Sequence, residues 1–166
     1  MPNRRPRLLI LLAALLAVGA IGGGIATAAI VRSGSVERAV LARFVDPRGA
    51  HGRTMYLQKV VIPAGTVLPA HLHDGSQIGA VVEGTLRYTV IRGGRVRVVE
   101  SDSVGQQPRL VHVIEPGETY DVRAGQSVVE PARMVHSARA LAGHRVVVYV
   151  SSLLVDGAPL SEKIAA

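Results

Sequence analysis

Gly65-Thr-Val-Leu-Pro-Ala-His71-Leu-His73-Asp-Gly-Ser-Gln77-Ile-Gly-Ala-Val-Val-Glu-Gly84 is the stretch on which the reading of this chain turns. On an extended strand, residues i and i+2 share a face, so His71 and His73 present two imidazoles side by side. Neutral imidazole is a good ligand for transition metals. A third candidate, His136, closes a second segment punctuated by glycine and proline, Gly125-Gln-Ser-Val-Val-Glu-Pro131-Ala-Arg133-Met-Val-His136.

Outward from these segments the chain reads as short β runs between turn signals. Residues 54–62, 77–83, 85–91, 95–100, 110–114, 119–123, 127–130, 136–140 and 145–154 are expected strands. They are separated by Pro63-Ala-Gly65, Gly84, Arg92-Gly-Gly94, Glu115-Pro-Gly117 and Ala124-Gly125. Arg92-Gly-Gly94 is expected to be a hairpin turn. Residues 36–44 suit a first strand or a short helix, and the tail from Asp156 is expected to be loose. Turns recurring at this spacing argue for an all-β sandwich or barrel.

The chain has 166 residues, room for one domain with extensions. With a single Phe and no Trp, the core must be built from Val, Leu, Ile and Ala. The absence of cysteine excludes disulfides, thiolate ligands and a Cys nucleophile. The net charge of +7 falls to +3 once Arg4, Arg5, Arg7 and Arg32 are set aside. The remaining arginines are scattered, and the alternating Arg92, Arg95 and Arg97 suit a solvated strand face. No nucleic-acid role is expected.

Residues 8–31 carry no charge and would span about 36 Å as a helix, enough to cross a bilayer. The arginines before them supply a cytoplasmic positive flank, which directs the rest of the chain outside. Two readings stay open. A retained signal anchor is favoured by the length of the run and makes a single-pass membrane protein with an extracytoplasmic domain. A cleaved signal peptide, with Ala26-Thr-Ala28 as the cleavage site, makes a secreted one. The expected organisation is residues 1–34 as anchor or signal with linker, 35–155 as the β domain, and 156–166 as the tail.

The two histidine segments resemble the motifs of the cupin superfamily, and the chain is similar to small single-domain, quercetinase-like cupins over residues 54–152. The first motif, G-x5-H-x-H-x3,4-E-x6-G, is matched in every spacing by Gly65, His71, His73, Gln77 and Gly84. The second, G-x5-P-x-G-x2-H-x3-N, is matched by Gly125, Pro131 and His136. Gln77 stands where the family usually carries glutamate, Arg133 where it carries glycine, and Ala140 where it carries asparagine.

The resemblance implies a double-stranded β-helix, or jelly roll. It also implies a divalent transition metal (Fe, Mn, Ni, Cu or Zn) held by His71, His73, His136 and the residue at 77. Glutamine offers only a weak amide-oxygen ligand or a hydrogen bond to another ligand. It leaves the site one negative charge short of the family pattern, which favours an anionic chelating substrate. Arg133 is a candidate to pair with a substrate carboxylate, against the plainer reading of a solvated loop arginine. Tyr56 and Tyr88 are candidates to line the cavity. His51, His112 and His144 are expected at the surface.

Two functions follow from the resemblance. One is a dioxygenase acting on a small anionic or chelating molecule. The other is a non-catalytic module that binds a small molecule or metal at the outer face of the membrane. A sugar-phosphate isomerase ranks below both, because such substrates are mainly cytosolic. Homodimers through edge strands are common in the family, and residues 36–44 are available to cover an edge or to swap between chains.

Overall fold

The computed structural model describes residues 34–101 and 107–164. The apolar segment 8–31, on which the anchor and signal readings depend, lies outside the described residues. Within them the chain is all β. The strands are β1 (Glu37–Val45), β2 (Arg53–Ile62), β3 (Val67–Leu72), β4 (Gly75–Glu83), β5 (Thr85–Arg92) and β6 (Val96–Glu100). They continue as β7 (Arg109–Ile114), β8 (Thr119–Arg123), β9 (Gln126–Glu130), β10 (Val135–Ala140), β11 (Val146–Val155) and β12 (Glu162–Lys163).

One sheet has the order β1-β2-β11-β4-β9-β6-β7, the other β12-β3-β10-β5-β8, and their ladders are antiparallel. This is the expected double-stranded β-helix. Alternation of side chains about each pleat builds its interior. Val60 and Ile62 of β2, Val81 of β4, Val96 and Val98 of β6, Val128 of β9 and Val146 and Val148 of β11 point inward and are buried. Leu86, Tyr88 and Val90 of β5 meet them from the other sheet. The core is therefore valine-rich, and each such side chain contributes on the order of 1.5–3 kcal/mol when fully buried.

Three elements depart from the sequence expectation. The first is Arg92-Gly-Gly94, which makes no hairpin. β5 pairs with β10 and β8, whereas β6 pairs with β7 and β9, so this turn carries the chain from one sheet to the other. The second is β3, the strand that delivers His71. Pro69 lies within it, and proline cannot donate to a ladder. The β3–β10 ladder carries a bulge there, pairing His136 with His71 and then Ala138 with Leu68, so Pro69 falls in the gap. The third is the tail, part of which is ordered: β12 pairs with β3, Glu162 against Leu72 and Lys163 against His71.

β1 forms one edge of the large sheet, and all nine of its residues are exposed. Val40, Leu41 and Phe44 of β1 lie in the open with Met55 and Leu57 of β2.

Candidate metal centre

The β3–β10 ladder sets His136 directly opposite His71, and the chain leaving β3 adds His73. The three rings converge, with centroids 4.2 Å apart for His71 and His136, 5.1 Å for His71 and His73, and 5.3 Å for His73 and His136. Their nearest ligand atoms all lie within 4.8 Å of one another. All three residues are buried, at 8%, 5% and 3% exposure for His71, His73 and His136.

Two of the rings are held from behind. His71 Nδ1 donates to the Pro69 carbonyl at 2.7 Å, and His73 Nδ1 donates to the Leu160 carbonyl at 2.7 Å. A carbonyl only accepts, so Nδ1 carries the proton in both, and Nε2 keeps the lone pair that a metal requires. Leu160 belongs to the tail, which thereby orients a ligand. Neither nitrogen of His136 makes a hydrogen bond. Its Nδ1 is buried without a partner, and its Nε2 stands 3.8 Å from Glu130 Oε2. Tyr88 stacks on this ring at 4.8 Å and 11°, and its buried hydroxyl is turned toward the Glu130 carboxyl.

Burial pushes the His73 pKa down to about 4 and the His136 pKa to about 3, the latter helped by the His71 ring. Three converging imidazoles, one with an orphaned nitrogen, are a donor set that fits a divalent transition metal. The cluster could hold such an ion, and nothing in it selects one metal over another.

The same burial sets a pH dependence for the metal-free protein. Groups with an unfolded pKa near 6.5 and native values near 4 and 3 bind more protons unfolded than folded, so stability is lost as pH falls below about 6.5. At pH 5 the loss is about 2 kcal/mol per ring relative to pH 7.5. Glu130 works the other way. Desolvation raises its pKa, so its contribution is present at low pH and lost as pH rises, which offsets part of the histidine effect. Urea unfolding of the metal-free chain at pH 7.5 and pH 5 measures the net fall. An unchanged midpoint in both the native chain and Glu130→Gln, where that offset is absent, would mean that the rings are solvated rather than buried.

Gln77 lies on the cavity wall and is buried. Its Nε2 donates to Glu130 Oε2 at 2.7 Å, across the β4–β9 ladder in which the two residues are paired. With Glu130 ionised, as a carboxylate that only accepts, this bond orients the amide. The nitrogen faces Glu130 and the amide oxygen, the atom an amide can offer a cation, turns away from it.

Glu130 is a buried cavity residue that sequence reasoning passed over. It is 5% exposed and, among the described residues, is the only carboxylate lining the histidine cavity. The available signal was the period of two along β9, where Gln126, Val128 and Glu130 share the inward face. Arg38 of β1 also reaches the cavity wall, where its guanidinium donates to Gln58 Oε1 at 3.1 Å. Gln58 in turn donates to Ser152 Oγ at 3.0 Å.

Of the substrate-binding candidates, only Tyr88 lines the cavity. Tyr56 lies at a separate concavity beside Phe44 and Met55, with the Arg43 guanidinium 6.0 Å from its ring centre. Arg133 is exposed and pairs with Asp74 at 3.1 Å. Its φ of 62° is the left-handed conformation for which the motif ordinarily uses glycine. Its amide donates to the His73 carbonyl at 2.8 Å, tying this turn to the first motif. His51 and His144 are exposed as expected. His112 is half-buried, bonded to Glu118 at 2.6 Å and stacked on Tyr120.

The histidine cavity has a volume of about 60 Å³. A larger concavity of about 770 Å³ touches the same sheet, over the outward-facing Ile78, Val129 and Leu153. Among the described residues it is lined by no histidine, and it shares Gln77 and Glu130 with the smaller cavity, where the three imidazoles converge.

Residues 58–115 match the family model described as the cupin domain. Among solved structures, a cupin superfamily protein from Desulfitobacterium hafniense DCB-2 aligns at a TM-score of 0.50 and 11% identity, over 74% of this chain and 81% of its own. An uncharacterized conserved protein with a double-stranded beta-helix domain from Klebsiella pneumoniae aligns at 0.50 and 15% identity, over 78% and 80%. At these identities the structural likeness is one of fold. No curated protein matches the sequence. The family match spans residues 58–115, and the solved structures share the double-stranded β-helix fold.

Proposed function

We propose that this cupin-type barrel binds a divalent transition metal through His71, His73 and His136, assisted by Gln77, and presents it to a small anionic or chelating ligand. The observation that carries this reading is the convergence of three buried imidazoles on one cavity. A bound metal would supply Lewis acidity and, for a redox-active ion, a route to reaction with O2. The chain's own groups would hold and orient the partner. Two imidazoles are aimed by the backbone carbonyls of Pro69 and Leu160. Arg38 supplies a cation at the wall, which suits an anionic ligand. The apolar lining excludes bulk water.

Size narrows the ligand. Pockets for drug-sized molecules measure about 300–1,000 Å³, and this cavity holds about 60 Å³. It suits a ligand of a few heavy atoms, such as a small carboxylate, better than a flavonol. A small-molecule dioxygenase is the activity proposed. The second reading, a module that binds without turnover, is favoured by the tightness of the same cavity. Residues 8–31 support a place at the outer face of the membrane, as an anchor or before signal cleavage. The exposed apolar β1 edge supports pairing with a second copy.

Metal analysis of the full chain, purified in mild detergent, tests the core of this reading. About one equivalent of transition metal should co-purify or be taken up on reconstitution. Oxygen consumption by the loaded protein with a panel of small carboxylates and diketones then separates the two readings. Ligand binding without oxygen uptake leaves the module. A chain that takes up none of Fe, Mn, Ni, Cu or Zn removes both.

A further inference from the structure

We propose that Glu130 supplies the carboxylate of the metal centre, serving from the strand beside Gln77 in place of the glutamate missing at position 77. This deepens the metal-binding reading and rests on it. Gln77 and Glu130 are cross-strand partners in the β4–β9 ladder, and both side chains point into the barrel. Moving the carboxylate from one to the other shifts it by one strand spacing, about 4.8 Å. Glu130 Oε2 remains within reach of the site: it is 2.7 Å from the Gln77 amide nitrogen and 3.8 Å from His136 Nε2.

A buried carboxylate is expensive unless a cation or several donors offset it. Among the described residues, Glu130 accepts a hydrogen bond from Gln77 and interacts with the Tyr88 hydroxyl, but has no Lys or Arg ion pair. Arg38, the other charged residue lining the cavity, bonds to Gln58 instead. A metal held by the three histidines is the cation that completes this arrangement. The two residues divide the work of one glutamate. Glu130 brings the negative charge and grips the amide nitrogen. Gln77 then presents its oxygen, polarised by that charge-assisted bond, toward the ion. Glu130 is in this sense a positioning and charge-balancing residue. It also corrects the inference from sequence that the site is a full charge short.

The test compares the full chain with Glu130→Gln, Gln77→Glu and the exchange variant carrying both substitutions. Cobalt(II) and nickel(II) affinities are measured by competition with a chelator, the cobalt visible spectrum is recorded, and metal-free melting is followed by circular dichroism. Glu130→Gln should weaken metal binding about 10- to 100-fold and shift the cobalt bands, while the metal-free melting temperature holds or rises. The exchange variant, with its carboxylate back at position 77, should recover affinity to within about threefold of the native chain.

Equal affinity in the native chain and Glu130→Gln would overturn the proposal while leaving the histidine site standing. So would a fall in metal-free melting temperature that accounts for the whole loss of affinity, because Glu130 would then be structural. An exchange variant that melts normally but stays weak would overturn it as well. A native chain that binds neither metal would instead remove the underlying site, and this proposal with it.

Discussion

Replacing His136 with alanine should abolish stoichiometric metal binding and leave the barrel folded. Four-ligand zinc sites bind with apparent free energies of about 10–16 kcal/mol, or about 2.5–4 kcal/mol per ligand. Loss of one imidazole then weakens the site on the order of 100- to 1,000-fold. His136 is the informative ligand to remove because it alone joins the two halves of the site. His71 at the end of β3 and His73 just past it arrive together, whereas His136 comes from β10 and is the ring that faces Glu130 and stacks on Tyr88.

The metal-free protein should tolerate this change better than the holoprotein. His136 makes no hydrogen bond within the fold, and its ring already borders a cavity, so truncation enlarges an existing space. A melting experiment separates the two effects. The native chain should gain stability with added metal, by about 2.7 kcal/mol at a hundredfold excess over Kd, and the variant should gain almost none. If His136→Ala responds to metal as the native chain does, the three histidines are not a single site.

What the sequence discloses here depends on how far each signal travels. The histidine pair was legible because strand geometry alone puts residues 71 and 73 on one face. The long β runs at 54–62 and 145–154 became β2 and β11 because their β-branched residues suit a half-buried pleat. β3 escaped because Pro69 reads as a strand breaker, and only the bulge against β10 makes it admissible. The ordered tail escaped because two polar residues carry no strand signal, and its value lies in one distant bond from His73 to Leu160.

Glu130 escaped for a related reason. A lone glutamate in a short strand reads as an outward side chain until the register against Gln77 is known. That register also changes the meaning of the substitution at position 77. From sequence it was a lost charge. In the fold it is one half of a pair whose other half is on the next strand.

Gly75→Ala should be among the most damaging single-methyl substitutions in the barrel, although Gly75 is not a defining position of either motif. It opens β4 and faces Leu154 across the ladder to β11. A Cβ there would lie 2.1 Å from the Leu153 carbonyl oxygen and 2.6 Å from the Leu154 Cα. These are backbone atoms of a central strand, and no side-chain rotation relieves the overlap. β4 and β11 would have to separate by an ångström or more. That movement strains the neighbouring bond from the Val155 amide to the Asp74 carbonyl, next to His73. The expected cost is at least about 3 kcal/mol, at the upper end of overpacking penalties, against a typical domain stability of about 5–15 kcal/mol.

The motif glycine Gly65 makes the natural control. Nothing lies within 4 Å of a Cβ placed on it, so only its φ of 75° opposes a side chain. Gly65→Ala should cost about 1–2 kcal/mol and keep the metal. Urea unfolding of the two variants ranks them, and metal titration shows whether the damage reaches His73. Should Gly75→Ala unfold within about 1 kcal/mol of the native chain, the close approach of β4 and β11 cannot be what fixes the His73 end of the site.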